Sequence, residues 1–527
     1  MAKAPLDKLM LLGMASMAIL SSCQPTSESY QESEEVISNA NGGVYYEIFV
    51  RAFADSDGDK IGDFNGITSK LGYLQDLGVS DLWLMPIHPS PSYHGYDVTD
   101  YYDVHSEYGT MDDFENLVAK AKEYNINIII DYVLNHASSQ HPYFIASARQ
   151  ITQGLTEGEV DYREYFNWKY NEQPRGYEPY GSTSWYYEAN FWGGMPDWNL
   201  DNQNVVDYLF AGAKFWLDKG VNGFRLDAVK YCFQNTVKDV AFLSDFNDFV
   251  KAETPQAFII GEDWDTEAHM LNYYESGIDA FFAFESSTNT GKVAFNVNNA
   301  YGQNLATYIT GLYHKIKARN EGGYVSLFLS NHDQNRIGGM YPVNSAKGFN
   351  VAKAMASAYL LSPGHPFIYY GEEINLRGSG SDPNKRLPML WGNEYRDDET
   401  YPNQEATYPV AHQVRVGAFD ALKDPWSLTS HYRNVLRVRN KYQIFTEGIP
   451  AVFALEETKL MGLTFTHADS QRFPKPLHVI HNFYDLPLEF ETTYTVLEEI
   501  RANNTEPLAK NATGLLVIAP YSTLILH

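Results

Sequence analysis

The stretch GVNGFRLDAVKY, Gly220 to Tyr231, decides how this chain is read. A short apolar run ends in Arg225-Leu226-Asp227, so a cation and a carboxylate two residues apart leave the same face of a strand at its C-terminal edge. Taken alone, such a pair is equally well explained as a surface ion pair. The arrangement recurs, however. AFIIGEDW (Ala257 to Trp264) ends in Glu262, YVSLFLSNHD (Tyr324 to Asp333) ends in His332-Asp333, and IIIDYVLNH delivers Asp131, Asn135 and His136. Apolar runs that each present polar groups at their C-terminal ends predict an α/β fold, a TIM (β/α)8 barrel, with its chemistry on one rim.

Working outward, VYYEIFVRAF (Val44 to Phe53) reads as the first strand, LGVSDLWLMPI (Leu77 to Ile87) as the second and INIIIDYV as the third. Ahead of the third lies an amphipathic helix in which Phe114, Leu117, Val118 and Ala121 fall at helical spacing. GIDAFFAFE (Gly277 to Glu285) is the sixth strand, GHPFIYYGEE (Gly364 to Glu373) the eighth, and a helix over Ser427 to Tyr442 ends the barrel. The barrel thus occupies 43–136 and 200–443. Between them, 137–199 is too long and too rich in Tyr, Trp, Gly and Pro for a simple loop, and predicts a small inserted domain after strand three. From about Ile444 the pattern changes to short alternating strands, predicting a C-terminal antiparallel β-sandwich over 444–527.

The 39 Lys plus Arg against 66 Asp plus Glu give a net charge of −27, which repels phosphate backbones and argues against nucleic acid as a partner. Lys3 and Lys8, an apolar run from Leu9 to Leu20 and then Leu20-Ser21-Ser22-Cys23 read as a signal peptide over 1–22. Small residues before a cysteine resemble a bacterial lipoprotein signal, which implies lipidation of Cys23 and a protein anchored on a membrane surface without spanning it. A Ser- and Glu-rich tether over 23–42 would follow. The only other cysteine, Cys232, reads as a buried free thiol, so no disulfide framework is available.

After the first strand, DSDGDKIGD places Asp55, Asp57, Asp59 and Asp63 at near-alternate positions, with the carbonyl of Ile61 as a further oxygen. Carboxylates so spaced can converge on a hard cation. The loop departs from an EF-hand in having Lys60 where glycine is wanted and Gly66 where the terminal Glu would be.

DYVLNH, GFRLDAVKY, GEDW and LSNHD, in that order, resemble the four signature regions of the α-amylase superfamily of retaining glycoside hydrolases, glycoside hydrolase family thirteen, including its bacterial lipoprotein members. The resemblance runs from about Gly43 to the C-terminus. It implies that Asp227 is the nucleophile, held ionised by Arg225, that Glu262 is the acid and then the base, and that Asp333 grips the sugar hydroxyls, with His136 and His332 adding hydrogen bonds. It further implies that Tyr96 stacks on the sugar whose bond is cleaved, that His94, Asp97, Asp382 and Arg386 surround that sugar, and that Lys230 meets the leaving-group side. Calcium in the Asp55 loop is implied as well. The family's more widespread calcium site is put in doubt, because Tyr231 stands where a histidine is expected although Asn135 is kept. Ala228 after the nucleophile, with Lys230, is similar to α-1,4-acting members; oligo-1,6-glucosidases usually carry valine there. The expected substrate is a starch-like α-glucan or maltooligosaccharide. Mixed α-1,4/α-1,6 action, transglycosylation and a non-catalytic glycan-binding relative are the alternatives. A monomer is expected.

Overall fold

The computed structural model describes residues 42–154, 160–394, 396–504 and 515–527. Cys23, the signal peptide and nearly all of the tether lie outside them. Among the described residues no helix is long and apolar enough to cross a membrane.

Eight short parallel strands, β1 (Tyr45–Ile48), β2 (Asp81–Leu84), β3 (Asn127–Tyr132), β4 (Gly223–Leu226), β5 (Phe258–Gly261), β6 (Ala280–Phe282), β7 (Tyr324–Ser326) and β8 (Phe367–Tyr369), pair in chain order, and β8 pairs with β1. A parallel bridge from Phe328 to Phe367 and the bond from the Phe367 N–H to the Leu327 carbonyl at 2.9 Å close the barrel between β7 and β8. The strands are shorter than their apolar runs. Val50–Ala52 is already a 3-10 turn and Leu77 belongs to the helix Leu71–Leu77. The apolar pattern runs past the strand ends because the connections there are buried too, and burial is what the pattern reports.

Side chains pointing inward fill the barrel in layers. Tyr45, Trp83, Ile129, Ile260, Ala280, Phe282 and Phe367 form an apolar plug. Two residues further along their strands than Tyr45 and Ile129, hence on the same face, stand Glu47 and Asp131, with Arg225 directly opposite Asp131 in register. The plug thus gives way to a charged layer toward the C-terminal rim. Close strand approach is enforced at Gly223, whose φ is +144° and where a Cβ would meet the Phe258 carbonyl oxygen at 1.9 Å.

The segment after β3 carries a helix, Pro142–Gln153, and a three-stranded antiparallel sheet of Trp168–Tyr170, Tyr177–Pro179 and Trp185–Glu188. It is sewn back onto the rim by bonds from the Trp198 N–H to the Asn135 carbonyl (2.9 Å) and from the Ala137 N–H to the Pro196 carbonyl (3.0 Å). Helix Leu428–Lys441 follows β8. Among the described residues the C-terminal part holds one five-stranded and one two-stranded antiparallel sheet, and Leu460, Ile480, Leu516 and Leu524 form their own core.

Candidate active site

Arg225 organises the charged layer. It is wholly buried, and its guanidinium donates through Nη1 to Asp131 Oδ1 and to Asp227 Oδ1, both at 2.7 Å, and through Nη2 to Glu262 Oε2 at 2.6 Å. The planar fork reaches three carboxylates from three strands because its donors diverge at fixed angles. The cation also lies over Trp83, 5.1 Å from the ring centre. Contact with both Asp227 and Glu262 goes beyond the role expected for Arg225, which was to hold Asp227 alone. After Asp227 the chain turns sharply: Ala228 adopts φ 44°, ψ 45°, and its N–H donates to Glu262 Oε2 at 3.2 Å.

Burial raises the Asp227 carboxyl to about 6, the Arg225 cation opposing and the charges of Asp131 and Asp333 adding. Burial likewise raises Glu262 to about 7, again opposed by Arg225 and reinforced by Asp227 and Asp333. Asp333 goes the other way: burial would raise it, but His332, Arg386 and Arg225 together pull it well below the usual carboxylate range. The three carboxyls of one site are therefore spread apart in acidity, the arrangement that lets one donate a proton while its neighbours stay charged.

His332 is fully buried between Glu47 (Nδ1 to Oε1, 2.6 Å), the Tyr96 hydroxyl (Nε2 to Oη, 2.7 Å) and Asp333 (Nε2 to Oδ2, 3.1 Å). Tyr96 donates to Asp131 at 3.0 Å. Arg386 Nη2 donates to Asp333 Oδ1 at 2.7 Å and lies 3.7 Å from Asp382, which is half exposed and takes Lys385 at 2.9 Å. Lys230 donates to the Trp264 carbonyl at 2.6 Å and pairs with Asp265 at 3.1 Å.

A cavity of about 670 Å³ opens above this layer, bordered by His94, Tyr96, His136, Asp227, Lys230, Glu262, Asp333, Asp382 and Arg386. His136 Nε2 has no hydrogen-bond partner among the described residues, and burial lowers the ring to about 3, so a neutral imidazole is presented. Three of the residues expected beside substrate do not border the cavity. Arg225 and His332 lie beneath it, behind Asp227 and Tyr96. Asp97, expected beside the sugar, is buried as the acceptor of the Ser90 hydroxyl at 2.6 Å and of the Ser92 hydroxyl, and so braces the loop that carries His94 and Tyr96. Sequence reasoning missed Glu47, a lone carboxylate inside an otherwise apolar strand, and the rim residues Phe191, Met195 and Trp264. Trp264 stacks on Phe284 at 4.9 Å while staying about half exposed.

The Asp55 loop lies outside that cavity. Asp55, Asp57 and Asp63 each bring a carboxylate oxygen within 4.8 Å of the others, a hard-oxygen cluster that fits Ca²⁺. Asp59 is not among them: its Oδ1 accepts the Ile61 N–H at 2.7 Å and shapes the turn. Lys60 takes the left-handed conformation, φ 74°, that glycine would adopt more easily, and its ammonium lies 3.2 Å from Asp55. At the family's more widespread calcium site, the Asn135 amide donates directly to the Tyr231 carbonyl at 2.6 Å.

The family profile "Alpha amylase, catalytic domain" matches residues 47–448. The chain belongs to the α-amylase family. Among curated relatives, Alpha-amylase 3 of Dictyoglomus thermophilum is 36% identical over 493 residues, 92% of either chain. Amy13B of Eubacterium rectale superposes with a TM-score of 0.87 at 32% identity, over 93% of this chain and 96% of its own. The α-amylase from H. orenii does so with a TM-score of 0.78 at 32% identity, over 92% and 99%. The protein is therefore a glycoside hydrolase of the α-amylase family, built on that family's barrel.

Proposed function

We propose that this α-amylase family member hydrolyses α-1,4-glucosidic bonds of starch-like glucans and maltooligosaccharides with retention of configuration, through a covalent glycosyl-enzyme. The observation that carries the reading is Arg225 joining Asp227 and Glu262 at the cavity floor, two carboxyls with different acidities on one guanidinium. In this reading Asp227 attacks the anomeric carbon while Glu262 gives its proton to the leaving oxygen. Glu262, now a carboxylate, then takes a proton from the water that attacks the same carbon and releases Asp227. The two inversions sum to retention. Asp333, held charged by His332 and Arg386, grips hydroxyls of the distorted sugar; His136 and His94 offer nitrogen atoms at its edge and Tyr96 a ring face. Trp264 and Lys230 lie where the leaving chain would rest.

The α-1,4 preference rests on Ala228 and Lys230 and on the names of the relatives, which are α-amylases in the cases above. In the same reading the Asp55, Asp57 and Asp63 cluster holds Ca²⁺ in a structural role, and Cys23 is lipidated, tethering the enzyme at a bacterial membrane surface where a polymer could reach it.

Product analysis over time tests the function. Maltoheptaose should be cleaved with α-configured new reducing ends, seen by proton NMR before mutarotation, and Asp227→Asn should abolish turnover. Release of the α-1,6-linked glucose of panose would instead place the enzyme with the mixed-specificity members, and β-configured products would overturn the retaining mechanism.

A further inference from the structure

A carboxylate oxygen faces each ring nitrogen of His332, an arrangement suited to a ring that gives a proton from both. Nδ1 faces the Glu47 carboxylate at 2.6 Å, and an ionised carboxylate only accepts. Nε2 lies 2.7 Å from the Tyr96 oxygen and 3.1 Å from Asp333 Oδ2. With the Tyr96 proton directed to Asp131 at 3.0 Å, and Arg225 Nη1 also donating to the phenol oxygen at 3.4 Å, that oxygen accepts from Nε2. A bare Nε2 would aim its lone pair at two acceptors. Glu47 is itself buried on β1, in the layer just above the apolar plug, and is not exposed to the cavity.

We propose that Glu47 is a positioning residue for the glycosidase reaction, holding His332 as the doubly protonated imidazolium whose Nε2–H fixes Tyr96 and the Asp333 carboxylate under the sugar. The inference rests on the retaining-glycosidase reading of the same site. Its electrostatics balance locally: around His332 stand Glu47 from β1, Tyr96 after β2, Asp131 from β3, Arg225 from β4, Glu262 after β5, Asp333 beside it, and Arg386 after β8, whose Nε donates to the His332 carbonyl. Burial alone would favour the neutral ring, but Asp333 and Glu47 outweigh it and raise the imidazolium to about 9. Replacing Glu47 by an amide removes one of those two anions. In the neutral state the Nδ1–H would stay on the amide oxygen, and Nε2 would turn its lone pair on Asp333.

The test is Glu47→Gln, with Glu47→Asp as the variant that keeps the charge. Selective ¹⁵N-histidine labelling, with His332→Gln to assign the signal, follows the ring through pH 5–10. The wild-type midpoint should be near 9 and that of Glu47→Gln below about 7, near an unperturbed histidine. If only the imidazolium form is competent, the ratio of kcat/KM for Glu47→Gln to that of wild type should fall by a further ~10- to 30-fold between pH 5.5 and pH 8. Glu47→Asp should hold that ratio nearly flat. A wild-type midpoint at or below that of a free histidine, an unmoved midpoint in Glu47→Gln, or a loss of activity equal at both pH values would each overturn the proposal, the last being what a purely structural residue gives. The wild-type titration stands even if Glu47→Gln does not fold. A wild type that titrates as expected yet hydrolyses no glucan would sink the retaining-glycosidase reading while leaving the Glu47–His332 pairing intact.

Discussion

The spread of acidities at the cavity floor makes a quantitative prediction for Glu262. With Asp227 at about 6 and Glu262 at about 7, the competent form carries an ionised Asp227 and a protonated Glu262. Its fraction peaks near pH 6.5, and kcat/KM should fall about twentyfold two pH units to either side, because kcat/KM reports the acid and base of the free enzyme. The upward shift of each group follows from its burial, with Arg225 holding both shifts in check. Glu262→Gln then separates the limbs. On maltoheptaose, whose leaving oxygen needs a proton, the variant should lose about 10²- to 10⁴-fold in kcat/KM at pH 6.5. On α-maltosyl fluoride, whose leaving group needs none, the glycosylation step should survive and the limb above pH 7 should vanish, while the acid limb at about 6 remains with Asp227. The assay is initial fluoride release by ion-selective electrode between pH 4.5 and 8.5. If fluoride kcat/KM for the variant still falls through pH 7, the alkaline limb belongs to another group and the acid assignment of Glu262 is wrong.

Three further outcomes are expected. Glu372, buried between the Tyr359 and Tyr432 hydroxyls at 2.6 and 2.7 Å, is raised by burial from 4.5 to about 7. A raised acid stabilises the fold fully below 4.5 and loses that contribution as pH climbs to 7, about 3 kcal/mol in all, so urea unfolding at pH 5 and pH 8 should differ less in Glu372→Gln than in wild type. Chelation by EDTA should lower the melting temperature and added Ca²⁺ restore it, the ion stabilising the fold by about 3 kcal/mol when free ion is a hundredfold above Kd; in Asp57→Asn calorimetry should find the response to calcium gone. Trp264→Ala removes an exposed ring braced on Phe284, and losing about 1 kcal/mol of stacking should raise KM for maltoheptaose roughly fivefold, with a smaller change for maltotriose.

The sequence by itself carried the barrel, because apolar runs ending in polar groups report strands whose C-terminal edges face solvent-accessible chemistry. It also singled out Asp227, Glu262 and Asp333, whose neighbours along the chain are distinctive and which the fold brings to one cavity. The Asp55 loop was legible as a cation-binding pattern, but local spacing could not separate the three converging carboxylates from Asp59, whose oxygen turns to a backbone N–H. What only the tertiary structure decided is how groups distant in sequence share protons. Arg225 reaches Glu262 because β4 and β5 are adjacent in the closed sheet, and Glu47 meets His332 across 285 positions because closure through β8 brings β1 and the segment after β7 to the same rim. Asp97 looked like a sugar ligand and proved to be a loop brace, since direction of a side chain depends on its hydrogen-bond partners and not on its place in a motif. Acidity follows the same rule: one residue type, aspartate, is raised at 227 and depressed at 333 because burial and neighbouring charge act through space, and the chain's own order contains neither.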